Sequence, residues 1–152
     1  MRSLRLFTFA LFALAAFALP APSPAFAAET KDHRLLLQID SEDPQTVNMV
    51  MGNALNAKKY YDSKGEKLQV EIVAYGPGIT MLRDDKSPVK ERIAELQKEI
   101  PGIALSMCNN AKMGAEKREG HAITPIAGVK VVPAGIVRVM ELQEQGWSYV
   151  RP

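Results

Sequence analysis

Cys108 is the single cysteine of the 152-residue chain. It stands where a short apolar run, Ile103 to Met107, gives way to the polar Asn109-Asn110-Ala111-Lys112. A thiol at a strand end, one residue before an asparagine suited to cap a helix, would face the positive end of the helix dipole. Lys112 follows one turn later, and both features favour the thiolate, the form that attacks sulfur electrophiles. The same residue can equally be an inert buried hydrophobe, because free cysteines are among the most buried residue types. With no second cysteine there is no intramolecular disulfide, so an exported chain would keep this thiol buried, pair it between chains, or use it.

Other chemistries find less support. The strand-end segments Asp40-Ser41-Glu42-Asp43 and Tyr75-Gly76-Pro77-Gly78 are the other candidate walls of a site. Three carboxylates after the first strand would repel a nucleotide phosphate. No GxGxxG or Walker pattern replaces them. His33 and His121 lack partners at zinc-like spacing and read as solvated loop histidines. No Gly-x-Ser-x-Gly elbow anchors a hydrolase triad. No cofactor or metal is therefore expected.

Residues 1–27 read as a cleaved secretory signal peptide. Arg2 and Arg5 precede the apolar run Leu6 to Leu19, and a proline-rich stretch leads to Ala25-Phe26-Ala27. The alternative is an uncleaved anchor, for which the run is short. The expected location is periplasmic. Beyond Arg5 there remain 17 basic and 17 acidic residues. That balance provides no argument for nucleic acid or for a charged membrane surface.

Residues 28–152 alternate strand and helix patterns. Strands are expected at Leu35–Ile39, Leu68–Ala74, Ile103–Met107, Val129–Val132 and Trp147–Val150. Helices are expected from Pro44 to about Tyr61, from Ser87-Pro88 to Ile100, over Asn109–Arg118 and over Gly135–Gln145. The segment Gly76 to Ser87 reads as a loop. This order predicts one α/β domain, a three-layer α/β/α sandwich of flavodoxin-like type with a mostly parallel five-stranded sheet. Such sheets bind ligands outside the carboxyl ends of their strands.

Val73-Ala74-Tyr75-Gly76, Gly78-Ile79, Cys108-Asn109-Asn110, Val132-Pro133-Ala134-Gly135-Ile136-Val137 and Glu141 through Pro152 occur in an order that resembles the DsrE/DsrF-like (YchN-like) family of small sulfur-relay proteins. The resemblance spans essentially all of residues 28–152. It implies a sulfur carrier in which Cys108 holds sulfane sulfur as a persulfide, a sulfurtransferase-like role without high turnover. Relatives often show Cys-Gly-Asn-Thr where this chain has Cys108-Asn109-Asn110-Ala111. Asn109 and Asn110 would stabilise the charged sulfur, and Tyr75, Gly76 and Asp40 would line the opposite wall. The partners implied are a sulfur donor and an acceptor thiol, protein or small molecule, and further copies of the chain as a homotrimer or homohexamer. Ile136, Val137, Val139, Met140 and Leu142 make the last helix apolar over more than one face, which fits assembly. Ile79, Met81 and Leu82, unusual in an exposed loop, would cover a neighbouring subunit's site or close the chain's own core. The alternative to a sulfur carrier is a non-enzymatic oligomeric binding module with an inert Cys108.

Overall fold

The apolar run Leu35-Leu36-Leu37-Gln38-Ile39 forms most of β1 (Asp32–Ile39) in a computed structural model that describes residues 32–152. The signal-peptide segment lies outside the described residues. The other strands are β2 (Lys67–Ala74), β3 (Ala104–Cys108), β4 (Val129–Val132) and β5 (Ser148–Val150), and the helices are α1 (Pro44–Ser63), α2 (Lys90–Glu99), α3 (Asn109–Glu119) and α4 (Gly135–Glu144). All strand pairings within the sheet are parallel, in the order β4-β3-β2-β1-β5. The three-layer α/β/α arrangement expected from the alternating pattern is thus present. No helix among the described residues is long and apolar enough to cross a membrane.

Side chains alternate across the sheet, so each strand supplies two different layers. Leu37, Ile39, Ile72, Ala74, Leu105 and Met107 meet Val47, Met51, Ile93, Leu96 and Ala115 from α1, α2 and α3 in the larger core. Leu36 and Val73 point the other way and meet Val139 and Leu142 of α4, with Tyr75 and Trp147 packed at the margin. Three helices therefore cover one face and α4 alone covers the other. α1 begins as its sequence dictates: the Asp43 carboxylate accepts the Thr46 N–H at 2.8 Å, and Pro44 occupies the first turn.

Four local expectations change. β1 starts three residues earlier than the apolar run, because His33 and its neighbours pair with β2. His33 is consequently not a solvated loop residue: it bonds Glu66 at 2.7 Å and stacks on Tyr61 with ring centroids 3.8 Å apart. α2 starts at Lys90, after Ser87 has donated its hydroxyl to the Met81 carbonyl at 2.6 Å and accepted the Val89 N–H. The expected loop after β2 contains a 3-10 helix, Gly76–Leu82, whose Ile79, Met81 and Leu82 are buried in the chain's own core. Gly78 makes this possible, since a Cβ there would run into the Ile39 carbonyl.

Arg83 follows that segment and is 2% exposed. It donates two hydrogen bonds to Asp85, at 2.9 and 2.6 Å, and two to Glu119 at 2.8 Å, tying the chain before α2 to the end of α3. The Arg83 guanidinium, and then Lys86, hold Glu119 well below the usual carboxylate range, and Arg83 does the same for Asp85. Carboxylates whose pKa falls on folding stabilise above their unfolded values and lose that contribution as pH drops through the folded ones. Arg83→Met should therefore be less stable than the parent at pH 7. The difference, read from urea unfolding, should narrow progressively below about pH 4.5, where the unfolded carboxylates protonate.

Candidate functional site at the carboxyl ends of β3 and β4

Neighbouring strands β3 and β4 send their connections to opposite faces of the sheet, β3 to α3 in the three-helix layer and β4 to α4. Diverging connections leave a crevice outside the strand ends, where ligands bind in open α/β folds. Cys108 and Val132, partners in the register, are the last residues of those two strands.

Cys108 is also the N-cap of α3, a place expected for Asn109, which instead forms the first helical residue. The reason is local: β3 continues one residue further than its apolar run, with Cys108 still paired to β4. Its side chain lies on the α4 side with Ser106, two residues earlier on the same face. The start of α4 closes directly over it. A Cβ at Gly135 would stand 3.1 Å from the Cys108 Cβ and 2.8 Å from the Tyr75 Cβ, so only glycine lets the helix begin this close. Cys108 thus sits against the first turns of two helices, whose unpaired N–H groups favour negative charge. It is nevertheless 6% exposed.

The other expected site residues divide. Tyr75 is brought beside Cys108, half-buried, and its phenol is pushed up first by burial and then by the Asp40 charge. Asp40 is near Tyr75 but is not free, since Arg151 donates to both its oxygens at 3.0 Å. Gly76 is exposed, with φ +52, and starts the 3-10 helix. Asn109 is half-buried and directs its amide to the Met113 sulfur at 3.3 Å. Asn110 lines a separate hollow between the 3-10 helix and α3. Lys112 is occupied by Glu116 at 2.6 Å, so its charge serves that pair. Glu116 also accepts the Ile123 N–H, which with Lys112 lowers its pKa.

Sequence reasoning missed the polar group beneath α4. Glu71, 2% exposed, receives the Arg138 guanidinium at 2.8 and 2.7 Å and the Ser106 hydroxyl at 2.7 Å. The available signal was a lone acidic residue in an apolar strand and a lone arginine in an apolar helix. Further along the same face Tyr149 donates its hydroxyl to Gln38 Oε1 at 2.5 Å, while Gln38 Nε2 has no partner among the described residues. Asp85, Glu119 and His121 gather closely enough to suggest a metal, but Arg83 engages both carboxylates, and the cluster is better described as an ion-pair network.

Gly135→Ala should cost about 1–3 kcal/mol in urea unfolding, as overpacking does. It should also speed the reaction of Cys108 with a small thiol reagent by lifting the start of α4.

Comparison with known proteins agrees with the fold. The model of the DsrE/DsrF-like family, a family associated with sulfur relay, matches residues 35–152. No curated protein matches the chain. Among solved structures it is similar to the protein of unknown function MTH1491 from Methanobacterium thermoautotrophicum, with 28% identity and a TM-score of 0.65, over 80% of this chain and 100% of that one. It also shares the fold of the conserved protein of unknown function BT1422 from Bacteroides thetaiotaomicron, with 21% identity and a TM-score of 0.53, over 78% of this chain and 94% of that one. With the family match running from within β1 to the last residue, the chain belongs to the DsrE/DsrF-like family.

Proposed function

We propose that this protein is a periplasmic sulfur carrier in which Cys108 holds one sulfane sulfur as a persulfide. The observation that carries the reading is the place of Cys108, at the crevice between β3 and β4 and against the first turns of α3 and α4. Aligned N–H groups stabilise an anionic sulfur there. In the loading step the Cys108 thiolate attacks the outer sulfur of a donor persulfide. The donor S–S bond breaks, its electron pair leaves on the donor thiolate, and a Cys108–S–SH bond is formed without net oxidation. An acceptor thiol reverses the step. Donor and acceptor are protein thiols or small thiols. Residues 1–27 would direct the chain to the periplasm.

The working unit is a homotrimer or homohexamer. Support comes from α4, whose outer surface exposes Ile136, Val137 and Met140, each about half accessible. A contiguous apolar surface of this kind marks an interface. Met140→Glu should shift the particle to monomer in light scattering. An unchanged mass in that variant would place the interface elsewhere.

The burial of Cys108 favours a second reading, an oligomeric binding module in which the thiol is inert. Intact-mass spectrometry separates the two. After treatment with polysulfide, the carrier gains one sulfur mass that reductant removes, and Cys108→Ser gains none. No gain, together with a thiol that reacts only on unfolding, would leave the binding module.

A further inference from the structure

The sheet face that carries Cys108 is only partly covered. α4 lies over β1, β2 and the near side of β3, and leaves a hollow of about 270 Å³ along β3 and β4. Its walls include Ser106, Lys130, Val132, Ala134, Val137 and Arg138. Cys108 is not itself a lining residue, but the upper end is bordered by its neighbours: Val132 is the register partner of Cys108, and Ala134 precedes the glycine that packs on it. Ser106 and Lys130 form the pair one step lower on the same face. Two residues of strand separate those levels, about 6.6 Å.

The charges in this hollow are not equivalent. Glu71 and Arg138 satisfy each other at its floor, and Glu141 at its lower end is held by Arg138 at 3.5 Å. Lys130 has no carboxylate partner among the described residues. Apolar walls, one unpaired ammonium, and a thiol one strand step above it define a ligand with a short apolar body, a carboxylate at one end and sulfur at the other. Resting on the carrier reading above, we propose that this hollow is the donor site of the protein and takes the persulfide of a short thiol acid, its carboxylate on Lys130 and its outer sulfur at Cys108. The Cys108 thiolate attacks the outer sulfur of that persulfide, the S–S bond breaks, and the thiol acid leaves as its thiolate. The sulfur added to Cys108 stands about 2.05 Å beyond Sγ.

Binding and transfer are tested separately. In ¹⁵N-labelled Cys108→Ser protein, 3-mercaptopropionate should produce saturable amide shifts at Ser106, Lys130 and Val137. Lys130→Gln should weaken that binding about threefold to fivefold, the scale of one exposed charge pair. Lys130→Glu should abolish it, and 2-mercaptoethanol should not reproduce it. With Cys108 present, the persulfide of 3-mercaptopropionate should load sulfur faster than that of 2-mercaptoethanol, and Lys130→Gln should remove the difference. Absence of saturable shifts, or binding indifferent to Lys130→Glu, overturns the donor site while leaving the carrier reading intact if polysulfide still loads Cys108. Saturable binding with no sulfur uptake from any donor overturns the carrier reading, and the donor role with it.

Discussion

A buried carboxylate decides where the last helix lies. Glu71 is removed from water in the middle of β2, and an unpaired charge there would be severely destabilising. Arg138 supplies the countercharge in a two-bond fork, and Ser106 adds a third hydrogen bond from the neighbouring strand. The guanidinium is held by that pairing, which raises its pKa further, so the charge never leaves the site at ordinary pH. Arg138 stands one turn inside α4, and pinning it there places the start of the helix over Tyr75 and Cys108. The position of α4 over the thiol follows from this one ion pair and from the glycine that tolerates the close approach.

The two sheet faces are unequal for a related reason. Three crossovers in one direction build a deep apolar layer, and the return crossover through α4 builds a shallow one. A single helix cannot cover five strands. The uncovered part of the face carries the hollow beside β4, and the outside of α4 carries the exposed Ile136, Val137 and Met140. The polar residues on this face are therefore held by directed pairs, Glu71 with Arg138, Gln38 with Tyr149 and Asp40 with Arg151. On the other face, Arg83 performs the equivalent task for an irregular segment. Its fixed fork satisfies Asp85 and Glu119 together, and a lysine could not present the same geometry.

Much of this architecture was legible from the sequence by local rules. Apolar runs of strand length, i, i+3, i+4 spacing in α1 and α2, and breakers such as Pro101-Gly102 and Gly146 are consequences of backbone geometry, and they identified the five strands and four helices within a few residues. Cys108 was legible as a candidate because it is unique and ends an apolar run. Other features depended on distant partners. Glu71 alternates with apolar neighbours and reads as a solvent-facing strand residue, yet α4 arrives from 67 positions later to bury and neutralise it. Ile79, Met81 and Leu82 read as loop residues because nothing local shows that a 3-10 turn folds them inward.

The candidate site divides the same way. Sequence alone determined that one thiol would stand at the end of the third strand, at the start of a helix, in a domain of parallel α/β type. Only the tertiary structure decided which residues share that thiol's surroundings. Tyr75 joined it, Asp40 was taken by Arg151, Asn110 went to a separate hollow, and Lys112 turned to Glu116. Propensity and periodicity act over a few neighbouring residues. A charge or a donor, by contrast, is claimed by whichever partner the packed chain brings within about 3 Å, and that is settled only when the whole sheet and its covering helices are in place.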